Sequence, residues 1–195
     1  MKTDPLLRES ILKAAASIFS KKGYVAASLE AMADQADTDV DTIRRLYGSK
    51  ANLGAAWLNS LHAGSIKRHE QMLNAERAPE RKIRDYFEEL KPWLLRNKFL
   101  GCQFSAAGQK DSLVCPQVAA TVEEHKDYVH GFMTRLATAY LGAEPAGKRL
   151  GAALFLLYSG ATTEAASLRT VEPVDAALAV LDTMLPQWKA AQTPA

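Results

Sequence analysis

The sequence predicts an all-α protein, with a three-helix N-terminal domain that holds a helix-turn-helix and a longer helical domain behind it. Apolar residues recur at helical spacing through most of the 195 residues, and no run alternates apolar with polar side chains as a half-buried strand would. Prolines and glycines punctuate that pattern, with Pro79, Pro116, Pro145 and Pro173 at helix starts and Gly23, Gly101 and Gly142 at stops.

The first helix places Leu7, Ile11, Ala14, Ala15, Ile18 and Phe19 on one face, with Arg8, Glu9, Lys13, Lys21 and Lys22 largely on the other. Gly23 supplies its stop. Ser28 stands where an N-cap belongs, its hydroxyl placed to accept from a free backbone N–H, and opens a short helix over residues 29–36. After Asp37 and Thr38, Asp39 caps a third helix in which Ile43 and Tyr47 share a face while Thr42, Arg44 and Arg45 point elsewhere. Helices this short, joined by so short a turn, cross steeply instead of lying antiparallel. A steep crossing is what sets one helix into a DNA major groove.

Arg8, Ile11-Leu12, Ala14-Ala15, Phe19, Gly23-Tyr24, Ser28-Leu29, Met32-Ala33, Ala36, Thr42-Ile43, Arg45 and Tyr47-Gly48-Ser49-Lys50 together resemble the N-terminal domain of the TetR family of bacterial transcriptional regulators. The likeness runs without a gap from Arg8 to Lys50, which makes it far more specific than a lone short motif. It implies a homodimer with a DNA-binding domain over residues 5–51 and a helical effector-binding and dimerisation domain over residues 52–195. It also implies a ligand-responsive transcriptional regulator, a repressor, that binds a near-palindromic double-stranded DNA operator. A small-molecule effector would shift the helix beginning near Asn52, change the spacing of the two recognition helices and lower operator affinity. The positions offered to DNA are Ser28, Asp39, Val40, Asp41, Thr42, Arg44, Arg45, Tyr47 and Lys50. Of these, Arg45 and Lys50 suit phosphate, and Val40, Asp41 and Thr42 suit base edges.

The chain departs from the family pattern at the turn. Ala36-Asp37-Thr38-Asp39-Val40-Asp41 stands where Ala-Gly-Val-Ser and a small or basic pair are usual, and Arg44 replaces a frequent tyrosine. Asp39 and Asp41 favour the positive end of the helix dipole, and Asp37 tolerates a left-handed turn. The same carboxylates repel phosphate. Residues 1–60 carry eight Lys and Arg against seven Asp and Glu, so any grip on DNA must come from local placement of Arg44, Arg45 and Lys50, doubled in a dimer. A helical dimer that keeps the fold, has lost DNA binding and acts through protein partners is the alternative.

Composition is that of an ordinary globular protein, 48% apolar and 24% charged with a net charge of +2. No apolar run has the length of a membrane helix, and Met1 to Pro5 leads into an amphipathic helix with no signal sequence, so a cytoplasmic protein without membrane contact is expected. Cys102 and Cys115 are too few for a disulfide framework. No nucleophile elbow, phosphate loop, dinucleotide fingerprint or acid/base carboxylate pair occurs, which argues against an enzyme and against a cofactor. His125 with His130, and His62 with His69, lack metal-ligand spacing.

Beyond Lys50 a helix from Asn52 to about Ala75 carries Leu53, Trp57 and Leu61 in register. Pro79 opens the next, through Tyr86, Phe87, Leu90, Leu94 and Leu95, with Pro92 a kink or early break before Phe99-Leu100-Gly101. Pro116 begins a long helix closed by Leu141-Gly142, and Pro145 starts another. The segments 151–166 and 173–188 stand where the family builds its dimer interface, which assigns Leu156, Gly160, Leu178, Leu181, Met184 and Leu185 to it. The fraying expected at the end of the chain covers Gln192 to Ala195. Trp93, Phe104, His125, Tyr128, Phe132, Phe155 and Tyr158 are candidate effector-pocket groups, because aromatic walls with polar tips suit small molecules, although such a stripe equally fits plain core. Cys102 joins them as a possible oxidant or electrophile sensor in a segment like one seen in some branches of the family. An inert buried thiol is the other reading.

Overall fold

The computed structural model describes residues 4–110 and 115–192. Within them lie ten helices and no strand: α1 (Asp4–Ala26), α2 (Leu29–Ala36), α3 (Val40–Tyr47), α4 (Lys50–Asn74), α5 (Pro79–Glu88), α6 (Leu90–Arg96), α7 (Gln103–Lys110), α8 (Pro116–Leu141), α9 (Glu144–Leu168) and α10 (Glu172–Ala190). Of the expected frayed end only Gln192 falls inside the described residues.

Two compact units share the chain, Met1–Ser65 with Gln103–His125, and Ile66–Cys102 with Lys126–Ala195. The packing therefore does not divide at 51/52. The first half of α4 belongs with the recognition helices because Leu53, Trp57 and Leu58 are buried there, and Trp57 stacks on Phe19 of α1 at 5.2 Å. Ile11, Ala15 and Phe19 of α1, Met32 and Ala36 of α2 and Ile43 and Leu46 of α3 complete that core. Leu46, and not Tyr47, is the buried partner of Ile43. Gly23 leaves the helical region at φ 77°, ψ 169°, so α1 is interrupted where a stop was expected. Helix α7 was not legible in the sequence: eight residues hold few large apolar groups, and among its described side chains Phe104 and Ala107 are buried.

In the second unit α10 packs on α5 and α9, and α6 packs on α9. Phe87, Leu94, Phe132, Met133, Leu150, Leu154, Leu181 and Leu185 are all but fully buried in one core. Ion pairs join the outer surfaces, Arg84 to Asp182 and Lys91 to Asp175. Tyr140 donates its hydroxyl to the Leu185 carbonyl at 3.0 Å, and Lys189 Nζ donates to the Tyr140 carbonyl at 2.7 Å, so the end of α8 is tied to α10. Helix α9 lies very close on α8: a Cβ added at Gly151 would stand 2.6 Å from Thr134 Cα, and one at Gly147 would stand 2.7 Å from Thr138 Cα. These two glycines, one turn apart, are where only a hydrogen fits.

Candidate nucleic-acid interface

The geometry of the turn follows from three side chains. Ser28 caps α2 in extended conformation, its Oγ accepting from Ala31 N–H at 3.2 Å. Asp37 takes the left-handed conformation at φ 55°, ψ 58°, which lets its own N–H reach Asp34 O at 3.3 Å while Thr38 N–H reaches Ala33 O at 3.0 Å. Asp39 then caps α3: Oδ1 accepts from Thr42 N–H at 2.6 Å and Oδ2 from the Thr42 hydroxyl at 3.2 Å. The Thr42 backbone donor, with its hydroxyl second, holds the Asp39 carboxyl below the usual carboxylate range. At the far end Gly48, at φ 80°, ends α3 with its N–H on Arg44 O, and Asn52 Nδ2 donates to Tyr47 O at 3.2 Å.

The cationic side chains offered to DNA each have an acceptor within the same unit. Arg44 Nη1 is 3.3 Å from Asp41 Oδ1, an i,i+3 pair. Arg45 donates through Nη1 and Nη2 to Asp4 of α1 at 3.1 and 3.3 Å. Lys50 Nζ donates to the Val25 carbonyl at 3.2 Å and sits 4.6 Å from the centre of the Tyr24 ring. Tyr47 is half-buried, its hydroxyl donating to Arg8 O at 2.9 Å with the Arg8 guanidinium 5.4 Å from its ring. Burial pushes the Tyr47 phenol up, so it is a neutral donor. Of the three carboxylates at the turn, Asp39 is a cap and Asp41 pairs with Arg44. Asp4 and Val25, and the contacts that Arg8 and Tyr24 make here, escaped sequence reasoning, since nothing in the local pattern couples residues this far apart along the chain.

The candidate effector residues fall in different units. Phe104 and His125 lie in the first, their rings stacked at 3.5 Å. There His62 Nδ1 and His125 Nδ1 are 3.0 Å apart, so one ring donates and the other accepts, and Glu124 lies 3.9 Å from His62 Nε2. Nothing in the local spacing brings these two histidines, 63 residues apart, together. Among the described residues no group of three or more His, Cys, Asp or Glu could hold a metal ion. In the second unit His69 stacks on Phe132 at 4.0 Å and on Tyr128 at 5.6 Å, while Tyr86 meets Tyr158 at 5.6 Å. Burial, the largest cause, raises the Tyr86 and Tyr158 phenols, so both are protonated at neutral pH. Cys102 is half-buried and Cys115 buried, both as free thiols. Trp93 borders the core, and Phe155 meets His130 edge-on at 5.7 Å.

Of the candidate dimer residues, Leu156 is 69% exposed and Gly160 has open space around it. Leu178 and Met184 are partly buried. Leu181 and Leu185 are fully buried within this subunit and face its own core, not a partner. Val180, 46% exposed, lies on the outer face of α10.

A capped helix, a left-handed turn and a second capped helix, carried on an all-helical chain, define a helix-turn-helix protein. Residues 11–56 match the family model for bacterial regulatory proteins of the tetR family. The N-terminal domain belongs to the TetR family, and the chain as a whole has the fold of TetR-family regulators. It is similar to SCO4454, a TetR-family transcriptional regulator from Streptomyces coelicolor, at 20% identity over 95% of this chain and 97% of that one, with a TM-score of 0.81. A TetR transcriptional regulator from Chloroflexus aurantiacus J-10-FL is similar at 19% identity over 96% and 98%, TM-score 0.81. So is the reduced form of E. coli NemR, at 20% identity over 91% and 95%, TM-score 0.76. No curated protein matches the chain by sequence.

Proposed function

We propose that this chain is a ligand-responsive transcriptional repressor of the cytoplasm that binds a near-palindromic operator as a homodimer and is released by a small-molecule effector. The observation that carries the reading is the α2–α3 helix-turn-helix, complete with both N-caps and its left-handed turn residue, inside the segment that matches the family. Residues 5–51 are the DNA-reading part and the helices behind them the effector-binding and dimer-forming part. Val40, Asp41 and Thr42 lie at the start of α3, where a recognition helix meets base edges, and Arg44, Arg45, Tyr47 and Lys50 are the phosphate-side set. Leu156, Gly160 and Val180 are the outward-facing positions of α9 and α10 that support a partner subunit.

Titration of the purified protein against its own upstream DNA, at two salt concentrations, tests the reading. A sequence-selective complex at the lower salt is expected. Its absence at both salts favours a second reading, a helical dimer acting through protein partners, for which the intramolecular acceptors on Arg44, Arg45 and Lys50 are the specific support. Native mass spectrometry of freshly purified protein tests dimer and effector together.

A further inference from the structure

We propose that Asp4 is a built-in competitor for the Arg45 guanidinium, a carboxylate that a DNA phosphate must displace before the recognition helix closes on the duplex. The proposal rests on the operator-binding reading above. Arg45 presents both terminal nitrogens to one acid, Nη1 at 3.1 Å from Asp4 Oδ2 and Nη2 at 3.3 Å from Oδ1. Two parallel N–H donors meeting two oxygens of one anion is also how a guanidinium holds a phosphodiester, so the carboxylate occupies the phosphate's place.

The contact is a product of tertiary packing. Asp4 and Arg45 lie 41 residues apart, and they meet because α1 packs on α3. Both side chains are more than half exposed, Arg45 at 56% and Asp4 at 61%. Phosphate can therefore reach the guanidinium, and an exposed pair of this kind is weak enough to exchange. Arg8 adds a positive field at Asp4, and Asp39 adds a negative one at Arg45. Asp39 is committed elsewhere, its oxygens accepting from the Thr42 N–H and hydroxyl. Giving up Asp4 thus frees the Arg45 fork without removing the cap of α3. Arg44 and Lys50 have acceptors of their own, so exchange at Asp4 is one defined step by which this nearly neutral unit gains a phosphate-binding cation.

The test uses the full chain as wild type, Asp4→Asn, Arg45→Ala and the double variant. Each is titrated with a duplex of its own upstream DNA and with a scrambled duplex of equal length, at low and at physiological salt, and thermal unfolding checks that each is folded. Asp4→Asn is expected to tighten binding to both duplexes by about two- to five-fold at low salt. The gain should shrink at the higher salt, where the ion pair is screened, and vanish in the Arg45→Ala background. If wild type binds and Asp4→Asn binds equally or more weakly, the competitor role is overturned while operator binding stands; weaker binding would make Asp4 a positioning residue for Arg45. A gain that survives in the Arg45→Ala background overturns it too, since the effect would then be general repulsion. If neither wild type nor Asp4→Asn binds either duplex, the operator-binding reading fails and the competitor fails with it.

Discussion

Asp39 does two jobs whose signs differ: its charge disfavours phosphate, but its oxygens satisfy the Thr42 N–H that would otherwise lie open at the start of α3. Its carboxyl titrates below the usual range in the folded chain because that N–H, and secondly the Thr42 hydroxyl, donate to the ionised form. A depressed folded-state pKa stabilises the fold fully above the unfolded value near ~4, and that contribution is lost as pH falls through the lower folded value. Asp4 and Glu9 carry the same sign, held down by Arg45 and Lys13. We expect the urea midpoint of wild type to drop more steeply below about pH 4 than that of Asp39→Asn, which caps without titrating. Equal slopes would show that the cap is not coupled to the proton. Ser28→Ala, which removes the α2 cap without touching charge, should cost about 1 kcal/mol in urea denaturation at any pH in the native range.

Among the helices of the second unit, α9 comes very near α8 where Gly147 and Gly151 face Thr138 and Thr134. A methyl at residue 151 meets Thr134 backbone atoms at 2.6 and 2.8 Å, and backbone cannot turn aside as a flexible side chain can. Gly151→Ala is therefore expected to destabilise by about 1–3 kcal/mol, read from chemical denaturation, even though alanine is the better helix former. The glycine and alanine content of this stretch was legible; which face it served was not. The resemblance assigned this stretch to a partner subunit; Gly151 turns to α8 and leaves Leu156 and Gly160 outside. The same sorting applies along α10. Leu181→Ala should lower stability by about 2–5 kcal/mol by leaving a cavity in a fully buried core, while Leu156→Ala should leave the unfolding of the single subunit nearly unchanged.

For the molecule entire, the two units carry separable tests. Leu156→Asp places a charge at the most exposed large apolar residue of α9, so if that face is the dimer seam the variant sediments as a monomer while helix content is preserved. A dimer that survives the change moves the interface elsewhere. Operator affinity should respond weakly to salt, because residues 1–60 are close to charge balance and Arg44 and Arg45 give up internal ion pairs as they take phosphate. Between 50 and 200 mM salt the loss should stay below the ~10³- to 10⁵-fold fall expected of a protein neutralising six to ten phosphates. A steeper fall would mean that further basic groups reach the duplex.

The sequence by itself determined what depends on near neighbours. The helical class, the caps Ser28 and Asp39, the left-handed Asp37 and the stop at Gly23 rest on interactions within one or two turns, and all were readable in the residue pattern. Tertiary structure alone decided what depends on residues far apart in the chain. It set Asp4 in the Arg45 fork, the Val25 carbonyl under Lys50, His62 against His125, and Leu181 inward while Val180 faces out. Helical periodicity fixes which side chains share a face, but only the packing of one helix on another says what that face meets. In the helix-turn-helix unit the local pattern supplies two capped helices and their turn, and long-range contacts set which acceptors hold Arg45 and Lys50.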